Sequence, residues 1–155
     1  MSWTRICCAV DFSRESRLAL DEATELAWRM DGTLTLVHVN ELPVPAPAAD
    51  TLAGPEASLL AAVELDRKLN CWREEAQRIT GTHVEVALLS GDPALEIARF
   101  VRDRGHDLIV MGTRGGAENE RRLGSVAQAV VREAPCTVVV VRRGPSHAAP
   151  LPGPS

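Results

Sequence analysis

Strand-like and helix-like segments alternate along this chain, and that alternation constrains the fold more than any other feature. Residues 4–10, 33–40, 83–90, 107–112 and 136–142 are short apolar runs enriched in Val, Ile, Leu and Thr. Between them apolar residues recur every three or four positions, the period of a helix with one buried face. Over 14–31 the stripe is Ala19, Ala23, Leu26, Ala27 and Met30, with Gly32 placed as a C-terminal cap. A longer helix over 56–80 carries Ala62, Leu65, Leu69, Trp72, Ala76 and Ile79 on its core face. A third helix is bounded by Asp92 as N-cap, Pro93 at the first helical position and Gly105 as the stop. The fourth runs from Ser125 to about Glu133, where Ser125-Val126-Ala127-Gln128 has the S-x-x-Q pattern of a capping box and Pro135 ends the helix.

The order β-α-β-α-β-α-β-α-β predicts an α/β fold, an open parallel sheet covered by helices on both faces. The run DLIVMG (107–112) is apolar on both faces, as a central strand requires. Such sheets bind ligands beyond the carboxyl ends of their strands, where the strand order reverses. The residues at those ends are Asp11, Val39-Asn40, Ser90-Gly91 and Gly112.

At 155 residues the chain is long enough for one domain with a real core. The Pro- and Ala-rich stretch 41–55 is expected to be a mobile loop, and the Pro-rich tail 143–155 a mobile extension of a domain spanning 1–142. The formal net charge of −4 provides no overall field for nucleic acid or an anionic membrane. No apolar run is long enough to span a bilayer, and the N-terminus enters a strand without a signal-peptide pattern, so a cytoplasmic protein is expected. Cys7, Cys8, Cys71 and Cys136 have no metal-ligand spacing and read as small buried apolar residues, with neighbours Cys7 and Cys8 on opposite sheet faces.

The stretch GTRGGAENERRLGS (112–125) concentrates the chemistry. Gly112, Gly115 and Gly116 permit close backbone approach. Gly124-Ser125 precedes a helix N-terminus, whose N–H groups and macrodipole favour an anion. Arg114, Arg121 and Arg122 add positive charge, while Glu118 and Glu120 add negative charge. A surface turn between strand and helix is the alternative reading. There is no GxxxxGK[ST], and Lys68 is the only lysine, so a P-loop is excluded. No GxGxxG follows the first strand and no GxSxG elbow is present. Asp11 is either a ligand acceptor or a turn residue ahead of an N-cap at Ser13. His38, His83, His106 and His147 form no cluster. No nucleophile–base pair is apparent, so no catalytic residue and no metal site are assigned.

The chain resembles the universal stress proteins. The resemblance rests on ICCAVDFSRESRLALDEATELA, LTLVHV, GDPALEIARFVRDRGHDLIVMGTRG and LGSVAQAVVREAPCTVVVVR, in that order, and covers about residues 3 to 142. It implies a Rossmann-like five-stranded parallel sheet of order 3-2-1-4-5 and a homodimer joined along the last strand, 136–142. It also implies ATP, with or without Mg²⁺, as a regulatory ligand in a stress response. ATP-binding members carry G-x2-G-x9-G-[ST]. Gly112-x2-Gly115 and Gly124-Ser125 match its two ends, with eight residues between Gly115 and Gly124 instead of nine. By resemblance Ala9, Val10 and Asp11 border the adenine and Val39 offers it backbone bonds. Met111 and Gly112 flank the ribose, and Arg114, Gly115, Gly124, Ser125, Val126 and Ala127 surround the phosphates. The shortened, partly acidic loop leaves open an interaction module of the same fold that binds no nucleotide. Slow ATP hydrolysis is a third reading, without a visible general base.

Overall fold

A computed structural model describes residues 3–41, 55–113 and 123–142, with side chains for all of these but 55–58. Residues 42–54 of the loop expected at 41–55 and the tail at 143–155 lie outside the described residues, as do Arg114, Gly115, Gly116, Glu118, Glu120, Arg121 and Arg122, while Pro55 already belongs to the second helix. The elements are β1 (Arg5–Ala9), α1 (Arg14–Met30), β2 (Thr33–Asn40), α2 (Pro55–Thr80), β3 (Val84–Ser90), α3 (Pro93–Arg104), β4 (Leu108–Gly112), α4 (Ser125–Glu133) and β5 (Thr137–Val141). All strands are parallel, in the order β3-β2-β1-β4-β5. The chain therefore winds outward from β1 to β3, then crosses over to β4 on the other side of β1. That reversal falls between β1 and β4.

The period-2 alternation of β1 divides the core. Ile6 and Cys8 face α1 and α2, where they pack with Ala19, Leu20, Ala23, Leu36, Leu69 and Val110. Cys7 and Ala9 face α3 and α4, with Val37, Ile97, Val101, Ile109 and Val130. Cys7 pairs in register with Thr35 and Ile109, and Cys8 with Leu36 and Val110. Each fully buried Leu or Ile side chain contributes about 2 kcal/mol of transfer free energy. β4, apolar along its length, is buried from Leu108 to Met111 because helices cover both of its faces.

The helix ends show how the local signals act. Ser13 caps α1, its Oγ accepting the Ser16 N–H at 3.1 Å. The left-handed residue closing α1 is Asp31 (φ 51°), not Gly32. Gly32 is small for another reason: a Cβ there would lie 3.0 Å from the Trp3 carbonyl oxygen. α3 follows its sequence signals, with Asp92 Oδ1 accepting the Leu95 N–H at 3.1 Å and Gly105 left-handed at φ 70°. α2 departs from its apolar stripe. Leu69 and Ala76 are buried, whereas Ala62 is exposed and Ile79 is 55% exposed. Thr80 is buried instead, its hydroxyl donating to the Ala76 carbonyl at 2.9 Å. Only the C-terminal half of α2 is packed on the core; Leu59, Leu60 and Val63 are exposed among the described residues.

Candidate functional site

The carboxyl ends of β1, β2 and β4 and the first turns of α3 and α4 enclose a cavity of about 320 Å³. Its apolar walls are Ala9, Val10, Val37, Val39, Ile97, Met111, Val126 and Ala127, and its polar lining includes Asp11, Ser13, Ser16, His38, Asn40 and Glu41. The charged groups of this lining are the carboxylates of Asp11 and Glu41.

The crevice begins where β1 leaves β2. The Val10 N–H makes a rung to the Val37 carbonyl at 2.9 Å. In a parallel ladder the next rung would run from the Val39 N–H to the Val10 carbonyl. Instead that carbonyl lies 2.7 Å from His38 Nδ1. A carbonyl only accepts, so Nδ1 carries the proton and donates, which fixes the tautomer of a neutral His38 ring. Among the described residues no further backbone rung joins Val39 to β1, and Val39 lines the cavity.

The turn after β1 is held by its own side chains. Asp11 Oδ1 accepts the Ser13 N–H at 2.9 Å, and the Ser16 hydroxyl donates to the Ser13 carbonyl at 3.1 Å. Between Asp11 and Ser13, Phe12 adopts a left-handed conformation at φ 63°. At the end of β4, a Cβ on Gly112 would come within 2.5 Å of the Glu15 backbone carbonyl. Gly112 is therefore required by the seating of α1 on β4, whatever occupies the cavity.

The S-x-x-Q capping box does not form. Gly124 is the N-cap (φ −62°, ψ 161°), no side-chain cap bond is made, and Ser125 is the first helical residue. Its hydroxyl sits one position too late to reach the third N–H of the helix. Gln128 Nε2 donates to the Leu123 carbonyl at 3.0 Å instead. The start of α4 is thus a backbone N-terminus of the kind that favours an anion.

The expected site residues sort plainly. Ala9, Val10, Asp11, Val39, Met111, Gly112, Val126 and Ala127 line one cavity. Gly124 and Ser125 immediately precede its α4 wall but are not among the lining residues. Arg114 and Gly115 lie outside the described residues. Sequence reasoning gave no site role to Ser13, Ser16, Val37, His38, Glu41, Pro93 and Ile97, and placed Asn40 at the ligand edge without assigning it to the site. Glu41 was findable, as it follows the strand end at the ligand edge; Pro93 and Ile97 were not, because only the fold packs α3 against β2 beside the cavity.

The cysteines offer no nucleophile at this site. Burial, and then the proximity of Cys136, holds the Cys7 thiol far above its usual range. Burial likewise raises Cys8 and Cys136. The expectation of four buried cysteines is corrected at two positions: Cys71 is exposed and Cys136 only partly buried. Among the described residues no group of three His, Cys, Asp or Glu side chains is placed to hold a metal, and no helix is long and apolar enough to cross a membrane.

The sequence model of the universal stress protein family matches residues 2–142. A universal stress protein of Thermus aquaticus is 41% identical over 141 residues, covering 88% of this chain and 97% of the relative. Among solved structures, the universal stress protein UspA from Lactobacillus plantarum superposes with a TM-score of 0.75 at 28% identity, covering 92% of this chain and 99% of that one. A universal stress protein from Archaeoglobus fulgidus in complex with dAMP shares the fold at a TM-score of 0.65 and 23% identity, covering 92% of this chain and 100% of that one.

Proposed function

This chain belongs to the universal stress protein family, and from that premise we propose that it binds an adenine nucleotide as a regulatory ligand in a stress response. The observation that carries the reading is the convergence of Ala9, Val10, Asp11, Val39, Met111, Gly112, Val126 and Ala127 on one cavity. At about 320 Å³ that cavity is at the small end of ligand pockets, of a size for a base and sugar. Apolar walls from Val10, Val39 and Met111 suit a planar base, and the Val39 backbone offers a donor and an acceptor to its edge. Asp11 accepts from a sugar hydroxyl or an exocyclic amine. The carboxylates of Asp11 and Glu41 disfavour phosphate within the described lining, so the phosphates are directed toward Gly124-Ser125 at the α4 N-terminus. A relative of this fold has been solved with dAMP, which supports the same ligand class here.

We assign ATP, with or without Mg²⁺, as the ligand, in a cytoplasmic homodimer. The dimer forms through β5, which among the described residues has no neighbouring strand on its outer edge and whose Val138, Val139 and Val140 are only half-buried. Calorimetric titration with ATP and Mg²⁺ tests the reading. Saturable heat that is lost in Gly124→Val supports it, and no heat at millimolar nucleotide sinks it.

A further inference from the structure

We propose that Phe12 is the positioning residue of the ligand turn and that it couples the cavity to α2 through Trp72. Phe12 separates Asp11 from Ser13, and both of these line the cavity. Its φ of 63° is one that bulky residues rarely adopt. Such a conformation persists only where the surroundings over-determine it. Here they do so through the ring. Its centroid lies 5.0 Å from the His38 ring, tilted at 39°, and 5.1 Å from the Trp72 ring, nearly edge-on at 76°. The chain's only lysine places Lys68 Nζ 5.9 Å from the Phe12 centroid. Arg17 stands 5.4 Å from the Trp72 ring and ion-pairs with Glu75 on α2.

Both sides of this clamp reach functional elements. His38 lines the cavity and takes the Val10 carbonyl where β1 leaves β2. Trp72 is partly buried against the core shared by α1 and α2. The Asp11–Ser13 turn is therefore held from behind by an aromatic stack rooted in α2. A ligand that draws on the Asp11 carboxylate or the Ser13 hydroxyl rotates the Phe12 backbone, and the ring then shifts against Trp72. The inference rests on the adenine-nucleotide reading for the identity of the ligand, and on the geometry of the turn for the rest.

The test uses the full chain with Trp3→Phe and Trp28→Phe, which leaves Trp72 as the sole indole. Addition of ATP is expected to shift Trp72 emission with the same saturation as the calorimetric heat. Phe12→Leu is expected to abolish the shift and to weaken ATP about fivefold, and Phe12→Tyr to restore both. In the ligand-free protein, Phe12→Leu is expected to speed hydrogen exchange at the Ser13 and Ser16 amides about fivefold, again rescued by tyrosine. Calorimetric binding with silent Trp72 emission overturns the coupling. Unchanged exchange at Ser13 and Ser16 overturns the positioning role. Absence of any ATP heat overturns the nucleotide reading and with it the coupling to nucleotide, while the exchange comparison still decides the positioning role. If Phe12→Leu fails to fold, Trp72→Leu removes the other half of the clamp and is read by the same exchange and affinity measurements.

Discussion

The Gly112 Cα points at the Glu15 backbone so closely that a Cβ would lie 2.5 Å from the Glu15 carbonyl oxygen. A glycine assigned by family resemblance to a ligand is thus also the point where α1 sits on β4. Glu15 is backbone in the first turn of a helix and cannot move aside as a flexible side-chain tip would. Gly112→Ala is expected to cost about 1–3 kcal/mol through overpacking, read as a lowered denaturation midpoint in the absence of any ligand. An unchanged midpoint would show that α1 shifts freely, contrary to this packing.

Ser125 separates capping from binding. A capping-box serine replaced by alanine costs about 1 kcal/mol. With Gly124 as the N-cap and no side-chain cap bond at α4, Ser125→Ala is expected to change stability by less than about 0.5 kcal/mol. Its ATP affinity is expected to fall, because the hydroxyl stands at the helix N-terminus where phosphate is proposed to sit. Chemical denaturation alongside calorimetry checks both halves. A large stability loss would mean that the capping box forms in solution.

His106 is expected to make stability fall on acidification. It is buried, with Nε2 3.2 Å from Thr35 Oγ1 and Nδ1 without a hydrogen-bond partner among the described residues. Burial lowers its pKa, Arg5 and Arg104 lower it further, and Glu85 and Asp107 oppose them. The unfolded chain therefore takes up a proton at a higher pH than the folded protein does. The stability linked to His106 is fully present above about pH 6.5 and declines as pH falls from there toward the lowered folded value. His106→Gln is expected to flatten that part of the profile, measured as denaturation midpoints between about pH 7 and 5. An equal slope in the variant would remove His106 as its source.

Thiol labelling distinguishes Cys71 from Cys7 and Cys8. Cys71 is exposed on α2, whereas Cys7 and Cys8 are buried in β1 with thiols raised by burial. A maleimide or disulfide reagent is expected to modify Cys71 first, and Cys7 and Cys8 only after global unfolding. Modification of Cys7 or Cys8 at the rate of Cys71 would contradict the packing of β1.

Much of the architecture was legible because it depends on local patterns. The strand at 33–40 coincides with Thr33–Asn40, and the third helix carries its expected Asp92 cap and Gly105 stop. The positions that misled were those where packing overrides local chemistry. Gly32 looked like a helix cap but is small because Trp3 crosses it, and the left-handed residue is Asp31. Ile79 continued an apolar stripe, yet it is exposed because the buried face at the end of α2 passes through Ala76 and Thr80.

The sequence by itself determined the alternation of elements, the strand ends that carry Asp11, Val39 and Gly112, and the family. Those features reside in hydrophobic period and turn chemistry, which are properties of neighbouring residues. Only the tertiary structure decided that His38 takes the carbonyl of Val10, that α1 demands Gly112, and that Phe12 and Trp72 meet behind the ligand turn. Each of these joins residues far apart in the chain, and such contacts exist only once the sheet has brought the separate elements together.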